Sequence, residues 1–338
     1  MKLFKRILII KLSAIGDVIH ALPVSHRLKE CFPNAHVSWI VEKPAYDLLT
    51  NNPDINEIIL FEKPKFKSIS GLVNNLPEFV RFIREKQFDF VIDLQGLFKS
   101  AVIALITGAD KRVGYCNMRE LSWLVSKPVI GTNCHGHVVD RYLDVLGDIG
   151  CDYSKPQFII NTTEDEEQRA QLIAEKAGLN LERPYIVLAP GTNWPTKCWP
   201  AENYIELVRL LNGSGMSAVL IGGQGETKVN SFIAEGQISC VNLTGKTTLK
   251  ELSHILRKAA AFVGGDTGPM HLASAVGTQT VALFGPTDPA RNGPYGRRNI
   301  VLTSSIPCVK CWKRTCQEMN CMKDIHATCV YRELYNAL

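Results

Sequence analysis

Short apolar runs recur along this chain, separated by longer stretches whose apolar positions suit helices. In the first half the runs Arg6–Leu12, His36–Val41, Glu57–Phe61, Phe88–Leu94 and Arg112–Tyr115 predict β-strands. The stretches Asp17–Cys31, Leu72–Glu85 and Leu97–Ile106 predict the intervening helices. Strand–helix alternation of this kind makes βαβ units and a parallel sheet. A polar stretch, Asn161–Gln168, then leads into an amphipathic helix that ends near Gly178. Alternation restarts with strands Tyr185–Ala189, Ala218–Gly222, Cys240–Leu243, Ala261–Gly265 and Thr280–Phe284, and helices Glu202–Leu211, Leu249–Ala259 and Met270–Val276. The fold class expected is α/β, with two Rossmann-like doubly wound domains. Their bounds are placed at 1–160 and 181–315, with an interdomain region at 161–180 and a Cys-containing tail at 316–338. Open α/β sheets bind ligands beyond the carboxyl ends of their strands, so a facing pair is expected to form a cleft with one substrate per wall.

The length of 338 residues agrees with two domains. A composition of 46% hydrophobic and 21% charged residues excludes disordered and fibrous classes. The net charge of +5 suits an anionic small molecule or membrane surface and falls short of a nucleic-acid binder's basic stripe. The segment Met1–Leu12 resembles a signal peptide superficially, but Lys11 breaks its short apolar run and no cleavage site follows, so it reads as a buried first strand. No segment approaches the roughly 18 apolar residues of a membrane span. Without an export signal, the 11 cysteines are expected to be reduced thiols in the cytoplasm. Cys308, Cys311, Cys316 and Cys321 have metal-like density at a spacing that fits no zinc motif, and Cys329 lies beyond them.

Chemistry concentrates where strands end. After the first strand, Gly16 permits a tight turn and Asp17 opens the next helix, available either as a helix cap or as a base. The first two glycines of the dinucleotide fingerprint are absent there. In Phe262–Leu272 a strand meets a Gly-rich turn and a helix starting near Pro269. The N–H groups of Thr267 and Gly268 suit a pyrophosphate, with Asp266 orienting the turn or accepting a sugar hydroxyl. The loop Ala189–Pro200 offers Thr192, Asn193 and Lys197, the last as a phosphate partner. Two further strand-end turns carry Glu226 and Thr247. No Asp-x-Asp pair suits a metal-dependent transferase, so a leaving diphosphate must be stabilised by helix dipole and lysine.

Together, the segments Ser13–Pro23, Asp93–Ser100, Gly265–Leu272 and Phe284–Asp288 resemble glycosyltransferase family 9, the bacterial lipopolysaccharide heptosyltransferases. Val91–Ser100, Arg119-Glu120 and Asp140-Arg141 look most like heptosyltransferase I. The resemblance implies the GT-B architecture and an inverting, metal-independent transfer of heptose from ADP-L-glycero-D-manno-heptose to 3-deoxy-manno-octulosonic acid (Kdo) on lipid A, with no cofactor. A heptosyltransferase II-like transfer to a core heptose is the alternative. By the same resemblance Asp17 is the general base. Thr192, Asn193, Lys197, Glu226, Thr247, Asp266, Thr267, Gly268 and His271 bind the donor, with Asn193 and Thr247 departing from the family's usual side chains. Ser13, Gly16, Arg119 and Arg141 are the acceptor-side positions. The lipid acceptor implies a cytoplasmic protein in peripheral contact with the inner membrane and no nucleic-acid partner. Lys63, Lys65 and Lys67, interleaved with Phe66, are the residues expected at that contact.

Rival readings share the architecture. A non-hydrolysing nucleotide-sugar epimerase would act without an acceptor. A binding protein without catalysis is disfavoured by Asp17, and a nicotinamide dehydrogenase by the missing fingerprint.

Overall fold

The computed structural model describes residues 4–338, so the first three residues of Met1–Leu12 lie outside the described residues. The chain divides into two compact units, Met1–Asn161 and Thr162–Leu338. The first holds six strands: β1 (Arg6–Ile10), β2 (His36–Val41), β3 (Glu57–Leu60), β4 (Phe90–Asp93), β5 (Lys111–Tyr115) and β6 (Lys127–Val129). The second holds β7 (Tyr185–Ala189), β8 (Ser217–Leu220), β9 (Cys240–Asn242), β10 (Ala261–Gly265), β11 (Thr280–Phe284) and β12 (Ile300–Thr303).

All pairings are parallel, in the orders β3-β2-β1-β4-β5-β6 and β12-β11-β10-β7-β8-β9. Both sheets are therefore wound identically. Each starts at the centre, steps to one edge, then returns beside its first strand and steps to the other edge. The reversal falls between β1 and β4 in one sheet and between β7 and β10 in the other. At the first crevice Ile10 lies opposite Asp93, and at the second Ala189 lies opposite Gly264. These are the places where doubly wound sheets bind ligands.

The central strands form because unbroken apolar runs are covered on both faces. Ile7–Ile10 of β1 and all of β7 are buried. The outer strands β6 and β12 lie at sheet edges and are only part-buried, as are β3 and β9, but only the latter pair was expected from the apolar pattern. Pro128 fits in β6 because an edge strand can lack a ladder N–H.

Three expectations change. The helix Glu164–Lys176, placed between domains by its polar start, belongs to the second unit, where Arg169 pairs with Glu251 at 3.0 Å. The segment 316–338 is integral to that unit's core, with Cys321, Met322, Val330 and Leu334 buried against β-sheet residues such as Val281 and Leu283. The expectation of reduced thiols throughout is corrected at one pair: Cys31 and Cys151 form a disulfide. Packing of helix Ile15–Cys31 on helix Val138–Gly147 brings the end of the first beside the chain leaving the second, with the two Cα atoms 5.9 Å apart.

Candidate functional site

At the first crevice, β1 ends at Ile10 and helix Ile15–Cys31 begins four residues after Lys11. The turn between them is held from β4. The Gln95 Oε1 accepts the N–H groups of Leu12 at 3.0 Å and Ser13 at 3.2 Å. Asp17, half-buried in the first helical turn, accepts the Ala14 N–H at 3.2 Å through one carboxylate oxygen. The carboxylate thus both caps the turn and stands at the crevice, so the cap and the base readings of Asp17 are compatible. Gly16 is buried beside it and Ser13 half-buried.

Beneath this turn lies a charged layer. Asp93 is fully buried and accepts from the N–H groups of Gly96 (2.8 Å) and Gln95 (3.0 Å) and from the Ser100 hydroxyl (2.9 Å). Burial pushes its pKa up to about 6, against the pull of Gly96, Ser100, Gln95 and Lys11. Buried Lys11 donates to the Tyr142 hydroxyl at 2.7 Å and the Leu94 carbonyl at 3.0 Å. Burial lowers its pKa, opposed by Asp17 and Asp93.

Of the acceptor-side arginines, Arg119 is joined through its backbone to the Gly96 carbonyl at 2.8 Å, which places it beside the β4 turn. Arg141 is largely buried and donates to the Gly136 carbonyl (2.8 Å) and Asn117 Oδ1 (2.9 Å). Its guanidinium is engaged in fixing the loop around residue 136.

At the second crevice the loops after β7 and β10 meet. Lys197 Nζ donates to Asp266 Oδ2 at 2.7 Å and lies 4.4 Å from the centre of the Trp194 ring. His271 Nε2 approaches the other Asp266 oxygen at 3.4 Å. Asp266 is buried, which by itself raises its pKa; His271 and Lys197 overcome this and hold it at about 2. Thr267 stands at the start of helix Gly268–Ala275, whose unpaired first-turn N–H groups suit an anion. A Cβ on Gly265 would lie 2.9 Å from the Lys197 carbonyl oxygen, so glycine there lets the two loops approach.

The remaining donor-side positions occupy neighbouring strand ends. Glu226 follows β8 and packs against Gly191, where a Cβ would come within 2.0 Å of its Cγ. Half-buried Thr247 follows β9 in a turn tied to β8 by the Gly245 N–H to Gly222 carbonyl bond of 2.8 Å. Asn193 is exposed, and the Thr192 hydroxyl donates within its own loop to the Trp194 carbonyl.

Groups outside the expected site residues support both turns. Asp93 and Gln95 carry the Asp17 turn; a polar residue closing an apolar run beside β1 was the signal. The C-terminal segment pins the Lys197 loop: Thr196 donates to the Lys313 carbonyl at 2.8 Å, Arg314 lies 4.7 Å from the centre of the Trp194 ring, and Trp199 donates to the Ile325 carbonyl at 2.7 Å. Cys308, Cys311 and Cys316 are exposed and Cys321 buried. No group of three or more His, Cys, Asp or Glu among the described residues is placed to hold a metal ion.

Comparison with known proteins agrees with this geometry. The family model described as "Glycosyltransferase family 9 (heptosyltransferase)" matches residues 77–322. Lipopolysaccharide heptosyltransferase 1 of Pseudomonas aeruginosa is 30% identical over 92% of this chain and 87% of its own. Among solved structures, a family 9 glycosyltransferase of Veillonella parvula is similar with a TM-score of 0.87 and 25% identity, covering 100% of this chain and 98% of that one. The ADP-heptose lipopolysaccharide heptosyltransferase II of E. coli follows at TM-score 0.80 and 26% identity, with 98% of each chain covered. With two Rossmann-like units in one chain and relatives that align along nearly all of it, this protein belongs to glycosyltransferase family 9 and has the family's GT-B architecture.

Proposed function

We propose that the chain transfers heptose from ADP-L-glycero-D-manno-heptose to a Kdo residue of the lipopolysaccharide inner core, as a heptosyltransferase I-like enzyme. The first unit, residues 1–160 in the sequence reading, takes the acceptor, and the second takes the donor. One observation carries this reading. The two switch points hold complementary chemistry: a carboxylate at the start of a helix in one, and a lysine beside helical N–H groups in the other.

Asp17 takes the proton from the acceptor hydroxyl, whose oxygen attacks the anomeric carbon as the bond to the ADP phosphate breaks. The leaving diphosphate is stabilised by Lys197 and the N–H groups of Thr267 and Gly268, with no divalent cation required. Asp266 and His271 orient Lys197, while Thr192, Asn193, Glu226 and Thr247 complete the donor site. Ser13, Gly16, Arg119 and Arg141 shape the acceptor side, Arg141 through the loop it fixes. The type I assignment is supported by the 30% identity to the type 1 enzyme. The acceptor places the enzyme in the cytoplasm, in peripheral contact with the inner membrane. No helix among the described residues is long and apolar enough to cross one.

The test is ADP release from ADP-heptose with and without Kdo-lipid A. Release that depends on Kdo-lipid A is expected. Release or isomerisation without any acceptor would favour an epimerase, and release only with a heptosylated core would make it type II-like.

A further inference from the structure

The helix Ile69–Glu85 is unusual in the first unit because only one of its residues, Ile83, is fully buried. Its apolar positions 69, 72, 73, 76, 79, 80 and 83 follow helical spacing and form one stripe, with Phe82 to one side of it. Toward the C-terminal end this stripe covers the unit's core. Phe79 packs there with Phe66 and Phe61, ring centres 5.4 and 5.8 Å from its own. Toward the N-terminal end the stripe runs on with nothing covering it: Ile69 is 83% exposed and Val73 68%, with Leu72 also exposed. From Ser68 to Pro77 the sequence has no charged residue.

The turn just before this helix, Lys63–Phe66, supplies the opposite character. Lys63 and Lys67 are exposed and form no ion pair with any described residue, while Lys65 pairs with Glu62. Phe66, which lies between these lysines, is half-buried, stacked on Phe61 and packed on the core.

We propose that the N-terminal half of helix Ile69–Glu85, with Lys63 and Lys67, is the surface by which the protein seats on an anionic lipid bilayer. An uncharged helical half-face with exposed Ile, Leu and Val, flanked by lysines, matches the acyl–headgroup boundary of such a bilayer. The apolar side chains enter and the ammonium groups remain at the phosphates. The charge complementarity selects this occupant over a second copy of the chain, whose identical lysines would repel. The inference rests on the proposed lipid-linked acceptor, but its test needs neither sugar substrate.

Full-length protein is sedimented with vesicles of phosphatidylcholine alone and of phosphatidylcholine mixed with phosphatidylglycerol. Binding is expected only with phosphatidylglycerol and should weaken with salt. The pair Ile69→Ser and Val73→Ser, and separately Lys63→Glu with Lys67→Glu, should each weaken it by at least about tenfold. The Ile69 and Val73 changes should leave ADP release on a deacylated, soluble acceptor unchanged, which also shows that the variant is folded. Equal binding by wild type and both variants overturns the proposal. So does self-association, read by sedimentation velocity, that Ile69→Ser and Val73→Ser abolish in a protein that ignores vesicles. Loss of activity on the soluble acceptor in the lysine variant would place those lysines at the sugar instead and also overturn it.

Discussion

Asp17→Asn separates chemistry from architecture. The Asp17 carboxylate accepts one hydrogen bond, from the Ala14 N–H at 3.2 Å, and an asparagine Oδ1 can accept the same bond. The structural loss is then the charge alone, worth about 0.3–1 kcal/mol at the first helical turn, together with its attraction for buried Lys11, which Asp93 still supplies in part. If Asp17 is the general base, turnover should fall by roughly 10²–10⁴, or about 2.7–5.4 kcal/mol in the barrier. The predicted kinetic effect therefore exceeds the structural one several-fold. ADP release with ADP-heptose and Kdo-lipid A reads the first quantity, and thermal unfolding the second. Calorimetric ADP affinity should not change, because the groups assigned to ADP belong to the other unit. Asp17→Ala, which also loses the Ala14 bond, should add about 1 kcal/mol of destabilisation with little further loss of rate. Near wild-type turnover in Asp17→Asn would refute the assignment. A rate loss matched by an equal loss of ADP affinity would show that the residue acts on binding.

Lys197→Ala should weaken ADP binding by about 1–3 kcal/mol by calorimetry, through loss of a charge-assisted contact; unchanged affinity would remove it from the site. Gly191→Ala puts a methyl 2.0 Å from the Glu226 Cγ and should displace that side chain, lowering ADP affinity by about tenfold for a strain of 1–3 kcal/mol. Unaltered affinity would show that Glu226 makes no donor contact. Asp93 has a folded pKa of about 6 against an ordinary 3.8, so the folded state binds more protons in that window and stability falls as pH rises through it. The loss, at most roughly 3 kcal/mol, should appear in denaturant midpoints between pH 4 and about 6 and vanish in Asp93→Asn. EDTA should leave turnover unchanged; a loss restored by Mg²⁺ or Mn²⁺ would contradict the cation-free step.

Central strands were legible because burial on both faces writes itself into sequence as an apolar run. Tyr185–Ala189, Ala261–Gly265 and Thr280–Phe284 have the same bounds in sequence and structure. Of the four part-exposed edge strands, β3 and β9 were legible; β6, only three residues long with Pro128 at its centre, and β12 were not. The positions of Asp17 and Lys197 followed from strand ends, but their partners did not. Asp266 is 69 residues from Lys197, and Gln95 is 82 from Ser13, so both pairings depend on which strands lie side by side. The role of 316–338 was hidden for a similar reason: Met322, Val330 and Leu334 find their partners, such as Val281 and Leu283 of β11, only through the fold.

The pinning of the Lys197 loop by that segment sets an order of events during synthesis. The chain's first 161 residues can close their sheet while the rest is still on the ribosome, since domains fold as units from the N-terminus. The loop bearing Lys197 has its anchors at Lys313, Arg314 and Ile325, more than a hundred residues later. A nascent chain released before those residues emerge would carry the Asp17 turn intact and a Lys197 loop without its anchors. On the proposed donor role of Lys197, competence to hold the sugar nucleotide therefore arrives after the first unit, and a chain cut short near residue 310 should be a folded first unit that cannot hold ADP.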